Sequence, residues 1–148
     1  MNSPMIKKML LLTFAGTFLL SCTAGTITDY KPKNSQEEGI KEALIALETA
    51  WNNHNEQAVL AVLDDDFILW AWSGGSRTIV FRKGTFGFKL RDILIDYRYL
   101  SLGLPDIRAK NGEATAHVAM TIDARAHRGI FRLVNRDGQW LILEWEWL

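Results

Sequence analysis

The chain holds one cysteine, Cys22, in 148 residues. A lone thiol excludes an intramolecular disulfide framework, and in an oxidising compartment it calls for a reason of its own. Lysine and arginine balance aspartate and glutamate at 17 each, so the basic excess that marks nucleic-acid binders is missing. The longest apolar run, Met9 to Leu20, is about 12 residues against the roughly 20 that a membrane span needs. No helical histidine pair and no Cys/His cluster supplies the spacing of a zinc site, and neither metal nor cofactor is expected. The G-x-S-x-G elbow of a serine nucleophile is absent. "SGGS" at 73–76 lacks both the strand-to-helix setting and the following Lys-Ser/Thr of a phosphate cradle. There is no internal repeat and no low-complexity tract.

What is present begins with a targeting pattern. Lys7 and Lys8 form a positive n-region ahead of the apolar run, as in a signal peptide. The run ends in Leu19-Leu20-Ser21-Cys22, which resembles the lipobox of bacterial lipoproteins; Leu20 departs from the Ala, Ser or Thr more usual there. The resemblance implies a signal peptide over residues 1–21, diacylglycerol on Cys22, and a lipidated tether over 22–34. Thr23 to Lys33 carries Thr, Gly, Lys and Pro with few large apolar residues, as a solvated spacer would. Two or three acyl chains anchor stably without help from an amphipathic helix. Loss of residues 1–21 removes two lysines and no acid, leaving a formal charge of about −2. The expected address is the cell envelope, facing the periplasm. Thr23, where retained lipoproteins carry aspartate, favours the outer membrane.

Residues 35–148 have the size of one domain. Ser35-Gln36-Glu37-Glu38 fits a capping box, and Ile40, Leu44, Leu47 and Trp51 recur at helical spacing behind it. The helix ends near Asn53, and Asn55 caps a short second one with Ala58, Val59, Val62 and Leu63 inward. "DDDFILWAW" turns to strand composition, "SGGS" is a loop, Thr78 to Phe81 extends, and Phe86, Leu90 and Leu94 mark a third helix. From Asp96 an antiparallel meander follows, with hairpin turns at Asn111-Gly112 and Asp137-Gly138. In "EATAHVAMTIDAR" Val118, Met120, Ile122 and Ala124 alternate with His117, Thr121, Asp123 and Arg125. The order is α+β, a curved antiparallel sheet wrapped around N-terminal helices.

"LETAWNNHNEQAVLAVLDDDF" together with "FRLVNRDGQWLILEW" resembles the nuclear transport factor 2-like superfamily, whose cone-shaped fold is also called cystatin-like. The family holds ketosteroid isomerase, scytalone dehydratase, SnoaL-like polyketide cyclases and limonene epoxide hydrolase beside members that bind or dimerise, so fold alone does not give function. The isomerase pattern implies a tyrosine on the first helix and a carboxylate in the first strand. Here the helix offers Leu44, Leu47 and Trp51, and the strand runs Ile68, Leu69, Trp70, Ala71, Trp72. Asp64-Asp65-Asp66 falls on a fold-wide turn. His117, Asp123 and His127 on the fourth strand, with Tyr97 and Tyr99 near, could serve a dehydratase or cyclase, but their parity puts them on the outer sheet face. No catalytic residue is assigned.

Aromatic content is the positive signal. Six tryptophans fall on the first helix, the first strand and the last strand, where they either fill a core or line a pocket. The family's Trp-x-Ile pattern implies that Trp140, Ile142 and Glu144 point inward, with the hairpin pairing Phe131 with Glu144 and Gly129 with Glu146. The expected ligand-binding set is Trp51, Trp70, Tyr99, Phe131, Trp140 and Glu144. Trp145 and Trp147 would then lie outside with Arg128 and Arg132, on a surface for a second copy. The expectation is a ligand-binding or homodimeric interaction domain, with a SnoaL-like or ketosteroid-isomerase-like lyase or isomerase as the alternative.

Overall fold

The computed structural model describes residues 25–148; Cys22 and the signal segment lie outside the described residues. Three helices, α1 (Ser35–Asn52), α2 (Glu56–Ala61) and α3 (Lys83–Asp96), accompany six strands: β1 (Leu63–Ser73), β2 (Ser76–Arg82), β3 (Leu100–Lys110), β4 (Glu113–Ile122), β5 (Arg125–Arg136) and β6 (Gln139–Trp147). They form one sheet in the order β2-β1-β6-β5-β4-β3. The β1/β6 pair is parallel and the rest antiparallel. The α+β expectation holds. No described helix is long and apolar enough to cross a membrane.

Local chemistry explains most boundaries. Asn34, rather than Ser35, caps α1: its side-chain oxygen accepts from the Glu37 amide at 2.9 Å, and asparagine is at least as good a cap as serine. Asn55 caps α2 through the Ala58 amide, as expected. Asn111-Gly112 and Asp137-Gly138 have positive φ at both positions, the type I′ condition. A further turn of the same hand, Asp123-Ala124, has φ of 48° and 64° without any glycine. Asp123 secures it by accepting from the amides of Tyr99 at 2.9 Å and Arg98 at 3.2 Å, which offsets the cost of the left-handed backbone.

The stretch expected as solvated spacer is folded from Gly25 onward. Ile27 is fully buried in the core on a 3-10 turn, Ile27–Asp29, and Thr26 bridges to Gly103 on β3. Glu37 ties the connector down: it accepts from the Tyr30 hydroxyl at 2.7 Å and the Lys33 amide at 2.8 Å. Those donors hold its carboxyl below the usual range. Burial, with the Glu37 contact second, pushes the Tyr30 phenol up to about 12.

Register breaks bend the sheet at Leu63/Ile68, Leu69/Trp70, Leu102/Pro105 and Arg132/Leu133. Each adds twist and curvature, so the sheet closes over α1. Ile40, Leu44, Leu47 and Trp51 of α1 meet Phe67, Phe86, Phe131 and Trp145 inside.

Candidate functional site

The bulge at Arg132/Leu133 decides what each face of the sheet carries. From the Asp137-Gly138 turn, Asn135 pairs with Trp140 and Leu133 with Ile142, as expected, but Arg132 then pairs with Glu144, Phe131 with Trp145 and Gly129 with Trp147. Leu143 is the extra residue. One added residue reverses every later side chain, so Trp145 and Trp147 turn inward and Glu144 and Glu146 outward. The expected pairings Phe131/Glu144 and Gly129/Glu146, and the inward Glu144, are thereby corrected.

Inside, the aromatic side chains form a continuous run from the core to the surface. Trp145 is 1% exposed. It stacks on Phe131 with centroids 5.1 Å apart and meets Trp51 edge-on at 5.6 Å. Trp147 follows at 5.4 Å, and it in turn meets Tyr97 at 5.8 Å and His127 at 6.2 Å. Trp147 and His127 are half-buried and Tyr97 is exposed, so the run ends at the surface. Gly129 lets it pack: a Cβ there would stand 3.0 Å from the Met120 sulfur, 3.1 Å from Phe131 and 3.5 Å from Trp145 Nε1.

Hydrogen bonding separates these indoles. Trp51 Nε1 donates to the Tyr97 carbonyl at 2.7 Å. The buried Nε1 donors of Trp145 and Trp147, like that of Trp70 on the outer face, have no partner among the described residues, an arrangement that is costly in a native protein and calls for an explanation.

His127 is also relocated. Because the chain turns at Asp123-Ala124, Met120 pairs with His127 and Ala116 with Phe131, which puts His127 on the inner face. His117 stays exposed, opposite Ile130, and Asp123 serves the turn.

The outer face carries an ordered charge cluster. Trp70 of β1 pairs with Glu146, and Ile68 with Glu144. The Arg77 guanidinium lies 3.9 Å from the Trp70 ring centroid, with Nη2 2.9 Å from Glu144 and Nε 3.2 Å from Glu146. Arg132 reaches Glu144 at 3.2 Å, and the Glu144 side chain is 14% exposed. Trp72 Nε1 donates to Glu146. Exposed Trp72, Ile79 and Val80 adjoin the cluster on β1 and β2.

The six residues expected to bind ligand therefore fall into three places. Trp51, Phe131 and Trp140 are core residues; Trp70 and Glu144 share the outer face; Tyr99 is exposed ahead of β3. The structure does not bring them into one pocket. Trp145, Trp147 and His127 were missed at the inner site, because the bulge and the glycine-free turn each change parity.

Of the Asp64-Asp65-Asp66 triplet, Asp64 is buried and clamped by Arg136 Nε at 2.9 Å and Nη2 at 3.4 Å. That contact holds its carboxyl below the usual carboxylate range. Asp65 is exposed and receives Lys83 Nζ at 2.9 Å. Both are structural contacts at the start of β1, which begins at Leu63 and so takes in the triplet expected on a turn. No group of three His, Cys, Asp or Glu side chains suited to a metal occurs among the described residues. An open groove of about 560 Å³ runs by Arg108, Lys110, Thr115 and Arg132, and another of about 470 Å³ lies along α1 and α2 at Ile45, Thr49 and Ala58. Neither touches the tryptophan run.

Comparison with solved structures gives the same fold. The chain is similar to a nuclear transport factor 2-like protein of unknown function from Shewanella baltica, at TM-score 0.65 and 10% identity over 80% of this chain and 96% of that one. It is similar to a protein of unknown function with a cystatin-like fold from Nostoc punctiforme, at TM-score 0.64 and 16% identity over 75% and 88%. A nuclear transport factor 2-like protein from Cytophaga hutchinsonii matches at TM-score 0.64 and 18% identity over 76% and 96%. No protein-family model matches the sequence, and no curated protein matches it. The domain has the nuclear transport factor 2-like, cystatin-like fold.

Proposed function

We propose that the chain is a cell-envelope lipoprotein, anchored through Cys22, whose domain binds a small, largely apolar ligand bearing a hydrogen-bond acceptor where the aromatic run reaches the surface. The unpartnered, buried indole donors of Trp145 and Trp147 carry this reading. An apolar wall with a few polar groups is what fixes a small ligand, and a carbonyl or ether oxygen reaching these donors would remove their desolvation cost. The test is titration with 2-acetylnaphthalene and with 2-ethylnaphthalene, which lacks the acceptor, followed by tryptophan fluorescence. The acetyl compound should bind more tightly, and Trp147→Phe should weaken it about 3- to 10-fold, the range of one neutral hydrogen bond. Equal binding of both compounds to wild type and variant would refute it.

The anchor has its own test. Wild-type protein should carry lipid mass at Cys22 and partition into detergent, and Cys22→Ala should leave an uncleaved precursor; mature unlipidated wild type would end the lipoprotein reading.

The outer-face cluster supports homodimerisation as a second role. Guanidinium, carboxylate and indole groups already held in place lose little entropy on association, and exposed Trp72, Ile79 and Val80 adjoin them. Arg132→Ala and Arg77→Ala should weaken self-association in sedimentation while sparing naphthalene binding. The lyase or isomerase alternative would use the inner site, where His127 is the imidazole beside Trp147. A turnover that His127→Gln lowers by a hundredfold or more, the range of a lost general acid or base, would favour it.

A further inference from the structure

The folding of residues 25–33 leaves little chain between the acylatable cysteine and the body of the domain. In the cleaved chain proposed above residues 22–24 precede Gly25, and three peptide steps from Cα of Cys22 to Cα of Gly25 reach at most about 11 Å. Gly25 sits where an added Cβ would meet Leu104 at 2.9 Å. Thr26 pairs with Gly103, and Ile27 is locked in the core. The point of attachment is therefore the outer edge of β3, the last strand of the sheet. The opposite edge, β2, lies five strand spacings away, about 24 Å measured along the curved sheet.

The chemistry of that edge suits a headgroup layer. Leu104 is 50% exposed beside Gly25. Exposed Lys31, Lys33, Arg108 and Lys110 stand against the acids Asp29 and Asp106 on the connector and β3 and Glu113 opposite Lys110 on β4. Arg108 has one loose contact, 4.0 Å to Asp106. A basic balance on a surface held within a Debye length of an anionic bilayer is attracted to it. The single exposed leucine and the charged neighbours belong at the interface rather than in hydrocarbon.

We infer that the β3 edge, with Leu104, Arg108 and Lys110, rests on the anionic phospholipid headgroups of the membrane that holds Cys22, so that the sheet stands edge-on to the bilayer. This rests on the acylation of Cys22 proposed above. Edge-on standing leaves the inner aromatic face open to a ligand and the β1–β2 end of the outer face open to a second copy, while the β3 end of the outer face, where Arg108 and Lys110 lie beside Arg132, turns toward the headgroups.

The test uses the full chain expressed with its leader, extracted from membranes and placed in nanodiscs of phosphatidylethanolamine and phosphatidylglycerol containing a gadolinium-chelate lipid. Amide signals of Leu104, Asp106 and Arg108 should lose more than half their intensity, while those of Ser76 and Thr78 on β2 are largely retained. Insertion of ten Gly/Ser residues between Ala24 and Gly25 should restore the β3 signals, and Arg108→Glu with Lys110→Glu should restore them in part. Lipid present on Cys22 with equal losses at both edges, or an inserted variant that behaves as wild type, overturns the orientation alone. Signal loss at β3 in gadolinium-free discs assigns the edge to a second copy and overturns it too. A chain that carries no lipid overturns the acylation reading and this one with it.

Discussion

Trp51 and Trp145 are both fully buried and touch each other, yet replacing each by phenylalanine should change stability in different directions. Trading indole for phenyl removes about 40 Å³ at either place, which at roughly 24 cal/mol per Å³ costs about 1 kcal/mol. At Trp51 the change also deletes the donor to the Tyr97 carbonyl, leaving that acceptor unpaired at a further cost of about 1–3 kcal/mol. Trp51→Phe should then lose about 2–4 kcal/mol. At Trp145 the deleted donor has no partner among the described residues, so its removal regains about 1–3 kcal/mol. Trp145→Phe should come out between neutral and about 2 kcal/mol more stable. Urea unfolding with matched m-values separates the two cases. If Trp145→Phe is destabilised as much as Trp51→Phe, its indole donor is satisfied in the free protein, and the stated basis for a ligand acceptor at the cone disappears. A neutral or stabilised Trp145→Phe that also binds 2-acetylnaphthalene more weakly would show stability exchanged for binding.

Acid stability should depend on Asp64. Its folded pKa is lowered by Arg136 from the ordinary 3.8, so its contribution is complete above the unfolded value and is lost as pH falls through the folded one; in urea melts across that window Asp64→Asn should flatten the pH dependence, and an unchanged slope would remove Asp64 from the account. Gly39→Ala puts a Cβ 2.5 Å from Trp140 Cδ1, so an overpacking cost of about 1–3 kcal/mol should outweigh the roughly 1 kcal/mol gain in helix propensity; a raised melting temperature would contradict this. Tyr30→Phe should speed amide exchange across Ile27–Tyr30 and leave β4 and β5 unaffected, because the lost bond to Glu37 holds only the connector; exchange that accelerates everywhere would mean that the connector is part of the global folding unit.

Much of the fold was legible because it is written in short-range chemistry. Asn55, Asn111-Gly112 and Asp137-Gly138 announce caps and turns by residue type, and the stripe Ile40, Leu44, Leu47, Trp51 needs only the helical period. These are local decisions and the structure follows them. The connector was harder. Between Thr23 and Lys33 the sequence offers a single Ile27 among polar residues, and nothing local says that Gly103, across the chain, leaves room for Thr26 to pair there. A solvated spacer and a docked one have the same composition.

The candidate site was lost at two places where a single residue changes parity. Strand alternation is a reliable guide only while the register is unbroken, and "QWLILEWEWL" reads equally well with or without an extra residue at Leu143. Without it Glu144 enters the core beside Phe131; with it Trp145 does. Energetics favours the bulge: burying Trp145 removes a large aromatic surface from water, whereas burying Glu144 unpaired would cost several kcal/mol. Outside, Arg77 and Arg132 are in place to receive it. The same comparison of what each register buries could have been made for His127, had Asp123-Ala124 been read as a turn. Asparagine and aspartate tolerate the left-handed region, but alanine at its second position hides the signal. Where both faces of a strand are mixed, as here, the choice of register is better made by asking which charges would be stranded than by extending the alternation from one end.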